Sequence, residues 1–438
     1  MVSTTYKKFS VILLLFLFTG FSADVYAQYE IKSFKFKKKN RKSLVVPFKL
    51  VHNLIIIPLQ INGSDTLQFI LDTGVSTTII TGLPNGEELN LKYMKELELS
   101  GLGEGEAVKA LYSTGNTLEI DGAIGYNHEI LYLLDDVFHL SSSMGTYVHG
   151  LIGYDFFKNF VVEVNYPKEL LVLHEPKRYR RKNWKKRFSG KQKGIVPIEI
   201  EKFKPYINAS IEQENGDTVG VKLLVDSGAS HALSIYDITN DKINVPNNTV
   251  HSFLGAGLSG DIFGEIGRVQ KFNIAEFSFD KVVTSFPDED GIQRALDYSD
   301  RNGSLGAEVL KRFRVIFNYP EGHIQLKPNS NFKKEFQYNM SGLEITTPMP
   351  GMPIYEISKV RNNSPAMAAG LAKGDQIIMI NGVNATKYSL NDIVRLLHSK
   401  EGKKIKLFVQ RYNQYYKAEF ILDDSISLAN QENSNTPN

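Results

Sequence analysis

A repeat constrains what this chain can fold into more than any other feature. Residues 150–167, GLIGYDFFKNFVVEVNYP, align without gaps with residues 303–320, GSLGAEVLKRFRVIFNYP, so that Gly153 and Gly306 stand 153 positions apart. Upstream, QFILDTGVS at 68–76 aligns with KLLVDSGAS at 222–230, and Asp72 and Asp226 are 154 positions apart. Two separate blocks sharing nearly one spacing identify a tandem duplication, so each motif is read as one member of a pair. Val46-Pro47 and Val196-Pro197 open the two halves in the same way. Between the blocks, short runs of Val, Ile, Leu, Phe and Tyr broken by Gly, Asn and Asp predict an all-β unit in each half. Short helices are expected at 154–159 and 308–312, directly after the glycine of each aligned block.

Downstream of Asn329 the pattern changes. A strand over 354–360 precedes Ser364-Pro365-Ala366, where a Ser cap and a Pro in the first turn start a short helix that Gly370 stops. A strand over 376–380 ends in the tight-turn pair Asn381-Gly382. Residues 389–399 place Leu390, Ile393, Val394, Leu396 and Leu397 at helical spacing. The 438 residues give room for roughly three domains. The expected division is a leader at 1–27, one half at 28–176, a basic linker at 177–194, the other half at 195–330, a third domain at 338–424 and a disordered tail at 425–438.

Lys7 and Lys8 precede the apolar run Val11 to Phe18, and a small residue, Ala27, closes the segment, as in a cleaved signal peptide. Maturation near Gln28 would yield an exported protein of the bacterial periplasm or cell envelope, or a secreted one, with no transmembrane segment left after cleavage. The chain has no Cys, which excludes disulfides, thiolate nucleophiles, Cys-ligated zinc and iron–sulfur centres. Lys177 to Arg187 holds eight Lys or Arg, but the whole chain carries a formal charge of only +3. That segment reads as a solvated connector, and no nucleic-acid partner is expected.

An Asp that follows apolar residues and precedes a hydroxyl residue and a Gly sits at the end of a buried strand, on a turn that permits close backbone approach. If the two halves pack about a pseudo-two-fold axis, Asp72 and Asp226 meet there and form one site. Two carboxyls a few ångströms apart cannot both ionise, so one keeps its proton. The pair then holds a water, the charged member acting as general base and the neutral one polarising a carbonyl. This arrangement serves amide hydrolysis with no metal and no cofactor.

The motifs Asp72-Thr73-Gly74-Val75-Ser76 and Asp226-Ser227-Gly228-Ala229-Ser230, with Leu151-Ile152-Gly153 and Ser304-Leu305-Gly306 about eighty residues later, resemble the retropepsin-like aspartic proteases. The resemblance implies a mainly β chain with two β-barrel lobes related by pseudo-two-fold symmetry, one catalytic Asp in each. It implies that Thr73 and Ser227 bond across the lobe interface, with Gly74 and Gly228 in the catalytic loops, and that Ser76 and Ser230 brace the aspartates. Flaps are expected at Gly101, Gly103 and Gly105 and at Gly255, Gly257 and Gly260. The second stretch is formally G-x-G-x-x-G, but no helix or βαβ unit surrounds it, so a dinucleotide site has no support. His231, directly after the second motif, reads as a plain solvent-facing loop residue, the alternative being a group that tunes the pair's protonation. The segment from Pro350 to Gly382 resembles a PDZ domain of bacterial envelope proteases, which implies strand addition of a C-terminal peptide along 354–359, with Gly351, Met352, Pro353 and Ile354 at the binding loop. Ile393 and Leu397 fit either the groove or the core. The expected protein is a monomeric aspartic endopeptidase acting on peptides or proteins; the alternative is an envelope protein that grips peptides without cutting them.

Overall fold

Apolar residues at alternating positions make strands with one buried face, and here such strands close into rings. The computed structural model describes residues 33–103, 105–180, 193–297 and 299–427. The leader, most of the basic linker and the end of the tail lie outside the described residues. In the first half Leu54–Ile61 pairs with Leu67–Leu71, which runs parallel to Gly150–Ile152. The ring continues through Thr78–Ile80, Ala123–Leu133 and Val108–Ile120, which returns to Leu54–Ile61.

The second half repeats the circuit with the same sequence of antiparallel and parallel pairings. Its strands are Lys204–Glu212, Thr218–Val225, Gly303–Leu305, Leu233–Ile235, Phe277–Pro287 and Gly260–Ile274. Closure leaves a barrel of this kind without open edges and turns alternate side chains into a packed interior.

A third, antiparallel sheet of six strands takes three from each half, in the order Ile195–Pro197, His323–Pro328, Phe313–Asn318, Val161–Asn165, Leu170–His174, Ser43–Pro47. At its centre Val162 faces Phe317 and Val164 faces Val315. Val162 and Val315 are equivalent in the repeat, as are Val164 and Phe317, so the contact is reciprocal, as a two-fold relation between the halves requires. Phe157 packs on Phe317 with ring centroids 5.1 Å apart, inside one buried core that continues from half to half. The helices after the two repeat glycines are a single turn each, Tyr154–Phe157 and Ala307–Leu310, shorter than their sequence pattern suggests.

The last part of the chain forms a separate sheet ordered Leu343–Thr346, Tyr355–Val360, Gln376–Ile380, Lys404–Arg411, Gln414–Ile421. The helix Leu390–Leu397 starts in a capping box between Ser389 and Asp392, and Ile393 and Leu397 point into this domain's core. Among the described residues no helix is long and apolar enough to cross a membrane.

Two aspartates in interlocked loops

Each Asp follows a strand that runs parallel to the strand ending in the repeat glycine. The Asp72 N–H donates to the Ile152 carbonyl at 2.8 Å, and the Asp226 N–H to the Leu305 carbonyl at 2.9 Å. Gly153 and Gly306 are glycines because a Cβ at either would overlap backbone oxygens of the Asp loop beside it, those of Asp72 and Val75 or that of His231.

Thr73 and Ser227 lock the loops together. The Thr73 hydroxyl donates to the Val225 carbonyl at 2.6 Å and accepts from the Ser227 N–H at 2.9 Å; the Ser227 hydroxyl donates to the Leu71 carbonyl at 2.8 Å and accepts from the Thr73 N–H at 3.1 Å. All four bonds are buried and cross from one half to the other. Thr73→Ala leaves a buried acceptor and a buried donor unpaired, which is expected to cost about 2–5 kcal/mol. Thr73→Ser is expected to recover most of that loss; urea denaturation of both variants measures it.

The grip sets the two carboxyls side by side. Each accepts from the N–H of the glycine two residues on, Asp72 from Gly74 at 2.6 Å and Asp226 from Gly228 at 3.0 Å, and the two share a hydrogen bond. Burial and the adjacent Asp226 carboxylate push the Asp72 carboxyl well above the ordinary carboxylate range, against the pull of the Gly74 N–H and the Lys204 ammonium. Ser76 and Ser230 do not brace the pair. Ser230 is exposed, and neither hydroxyl bonds an aspartate.

Residues absent from the motif surround Asp226. Lys204, His231, Tyr236 and Tyr319 all feel its charge. His231 is no plain loop residue: its Nε2 lies 3.0 Å from the buried Ser304 hydroxyl, and burial lowers its pKa. Arg301 is 6 % exposed and donates to the Tyr236 hydroxyl at 3.0 Å. The repeat alignment carried the available signal, since Ser304 and Arg301 stand where the first half has Leu151 and Val148.

The glycine-rich stretches are hairpin tips. The first joins Lys95–Leu99 to Val108–Ile120, and the second joins Val250–Gly257 to Gly260–Ile274. The tips meet. The Ser259 N–H donates to the Leu102 carbonyl at 2.8 Å, the Gly101 N–H to the Ser259 hydroxyl at 3.1 Å, and the Gly105 N–H to the Ser259 carbonyl. A Cβ at Gly103 or Gly257 would overlap the backbone of the opposite tip, so these positions require glycine for close approach.

In the C-terminal domain the expected peptide edge needs correction. Tyr355–Val360 is an inner strand, bonded to Leu343–Thr346 on one side and, at Tyr355 and Glu356, to Gln376–Ile380 on the other. Gly351, Met352, Pro353 and Ile354 form the turn that leads into it, and the Gly351 N–H is taken by the Gly145 carbonyl at 3.3 Å. Leu343–Thr346 is the outermost strand of the sheet and packs beside Leu390–Leu397. Ser142 to Gly145 lie against the same place. The Thr347 N–H donates to the Ser142 carbonyl at 3.0 Å, and a Cβ on Gly145 would stand 2.9 Å from Leu390.

Burial lowers His52, whose backbone N–H donates to Asn391, and His398 to about 4, with His52 and then Lys311 adding to the effect on His398. Both are neutral in the folded protein where the unfolded chain binds protons. Their contribution to stability is therefore complete above pH 6.5 and is lost as the pH falls to about 4. Thermal melts across that window are expected to fall less steeply for His398→Gln than for the wild type.

Residues 57–156, which contain the Asp72 loop and Gly153, match the aspartyl protease family model, and residues 356–411 match a PDZ domain model. The chain carries an aspartyl protease domain and a PDZ domain. No curated protein matches it.

Proposed function

We propose that this is an exported aspartic endopeptidase whose dyad is Asp72 and Asp226, with a PDZ domain that binds substrate or regulatory peptides. The observation that carries the reading is the pair of adjacent carboxyls, each held by the N–H of the glycine two residues on, with Asp72 pushed above the ordinary carboxylate range by burial and by Asp226. A water between the carboxyls gives a proton to the ionised member as its oxygen attacks the scissile carbonyl, while Asp72 donates its proton to the carbonyl oxygen. The product of this step is a neutral gem-diol. In its collapse the C–N bond breaks as the carboxyl that took the water's proton gives it to the leaving nitrogen, and a gem-diol hydroxyl returns a proton to Asp72, so the pair ends as it began. The meeting hairpins act as flaps that close over the bound chain and exclude bulk water.

On this reading a peptide adding to Leu343–Thr346 competes with Ser142 to Gly145 for the edge. Hydrolysis of denatured protein, blocked by a peptide whose secondary alcohol mimics the gem-diol, tests the activity. Peptide binding without cleavage at any pH would favour the alternative of a gripping protein. Export is tested by the N-terminus of the protein recovered from an envelope fraction, expected near Gln28.

A further inference from the structure

The repeat makes the two sides of the dyad comparable position by position, and they differ in chemistry. In the first half, Ile56 pairs with Ile70, and continuing that antiparallel register by two residues sets Leu54 across from Asp72. In the second half, Tyr206 pairs with Leu224, and the same step sets Lys204 across from Asp226. Residues directly opposite in an antiparallel pair share a face. Around Asp72 that face is apolar, with Leu54, Ile56, Ile70, Val148 and Leu151 in one buried cluster. At the equivalents of Leu54, Val148 and Leu151 the second half has Lys204, Arg301 and Ser304.

Among the described residues neither cation has a carboxylate outside the dyad as its partner, and Lys204 feels both dyad carboxyls. Neither Lys204 nor Arg301 forms an ion pair among the described residues, and the buried Nε of Arg301 has no hydrogen-bond partner. The nearest acidic neighbours in sequence and register are already engaged: Glu201 and Asp300 both bind the Lys222 ammonium, at 2.7 and 2.6 Å. The dyad carries one negative charge when singly protonated, against two positive charges beside it. The buried Arg301 guanidinium is the uncompensated member, and leaving such a cation unpaired costs several kcal/mol, a cost that an incoming anion removes. Burial and the Arg301 guanidinium hold Lys204 below the usual lysine range, a state that a bound carboxylate would reverse.

We infer that Lys204 and Arg301 form a cationic subsite that seats a substrate carboxylate beside the scissile bond, while the cluster of Leu54, Val148 and Leu151 seats an apolar side chain on the other side. The preferred substrate is then a peptide with an acidic group on one flank of the cleaved bond and an aliphatic or aromatic residue on the other. This inference rests on the protease reading above. The carboxylate comes either from a Glu or Asp side chain or from a chain terminus, since a guanidinium recognises both alike.

End-blocked peptides with Glu or Gln at each position flanking an apolar residue provide the test, beside peptides that end at that position as free acid or amide. For the wild-type protein, kcat/KM for Glu over Gln is expected to be about 10- to 100-fold, at one flank only. A preference in the blocked peptides identifies the side chain as the source, and one confined to the free acids identifies the terminus. Lys204→Leu and Arg301→Val, which install the first half's residues, are each expected to narrow the ratio to within about threefold. Equal rates for the acid and its neutral counterpart in both peptide sets, or an unchanged ratio in both variants, would overturn the inference. Affinity of the same peptides for Asp72→Asn separates the two readings: a Glu preference in binding with no cleavage by the wild type sinks the protease and keeps the subsite, and equal binding sinks the subsite.

Discussion

Asp72→Asn and Asp226→Asn are each expected to lower peptide hydrolysis by at least about 10³-fold while leaving the fold in place. Either amide removes a group that must give or take a proton, and the remaining carboxyl cannot do both tasks in one step. The fold survives because the bonds joining the two loops run through Thr73 and Ser227, not through the carboxyls. The double variant should be no worse than either single, since the residues act as one unit. The pH profile follows from the pair. Activity requires one shared proton, and the raised pKa of Asp72 keeps it in place above the ordinary carboxylate range. Activity should therefore be lost as the pH rises through that raised value.

Two glycine substitutions should separate catalysis from folding. A Cβ at Gly228 would overlap the Asp72 carboxyl, the movable end of a side chain. Gly228→Ala is expected to push that carboxyl out of line and reduce activity by about 10²-fold or more, with the thermal midpoint little changed. A Cβ at Gly153 would instead overlap the carbonyl oxygens of Asp72 and Val75, backbone atoms that cannot swing aside as a side chain does, the latter also bonded by the Tyr154 N–H at 3.1 Å. Gly153→Ala should therefore destabilise the whole protein by about 4 kcal/mol or more, and soluble yield and thermal melts would report it. An active, stable Gly153→Ala protein would show that the Asp loops are not packed as described.

How much of this was legible in the sequence depended on whether a feature is local. The Asp72 and Asp226 loops are encoded by short strings whose residue types are dictated by backbone approach, and the duplication repeats them. The hairpin tips show in the same way, through Gly101, Gly103 and Gly105 and their counterparts. Lys204 could not be placed, because its position across from Asp226 follows from strand register, which leaves no mark on its neighbours in sequence. Arg301 lies two residues ahead of the aligned block, at the place of Val148, but its burial is a property of the assembled barrel. Ser76 and Ser230 sit at matched positions, yet neither hydroxyl bonds a carboxyl, and residue type alone does not set that. The PDZ edge was misplaced for a related reason: alternation identifies Tyr355–Val360 as a strand without revealing that Leu343–Thr346 lies outside it.

The measurement closest to the central claim is cleavage of a mixed peptide library by the purified wild-type protein across acid to neutral pH, with cut sites mapped by mass spectrometry. The account predicts internal cuts at a restricted set of sites, falling away as the pH rises and absent with Asp226→Asn. No cleavage at any pH by a folded protein, or cleavage that persists in Asp226→Asn, would contradict it.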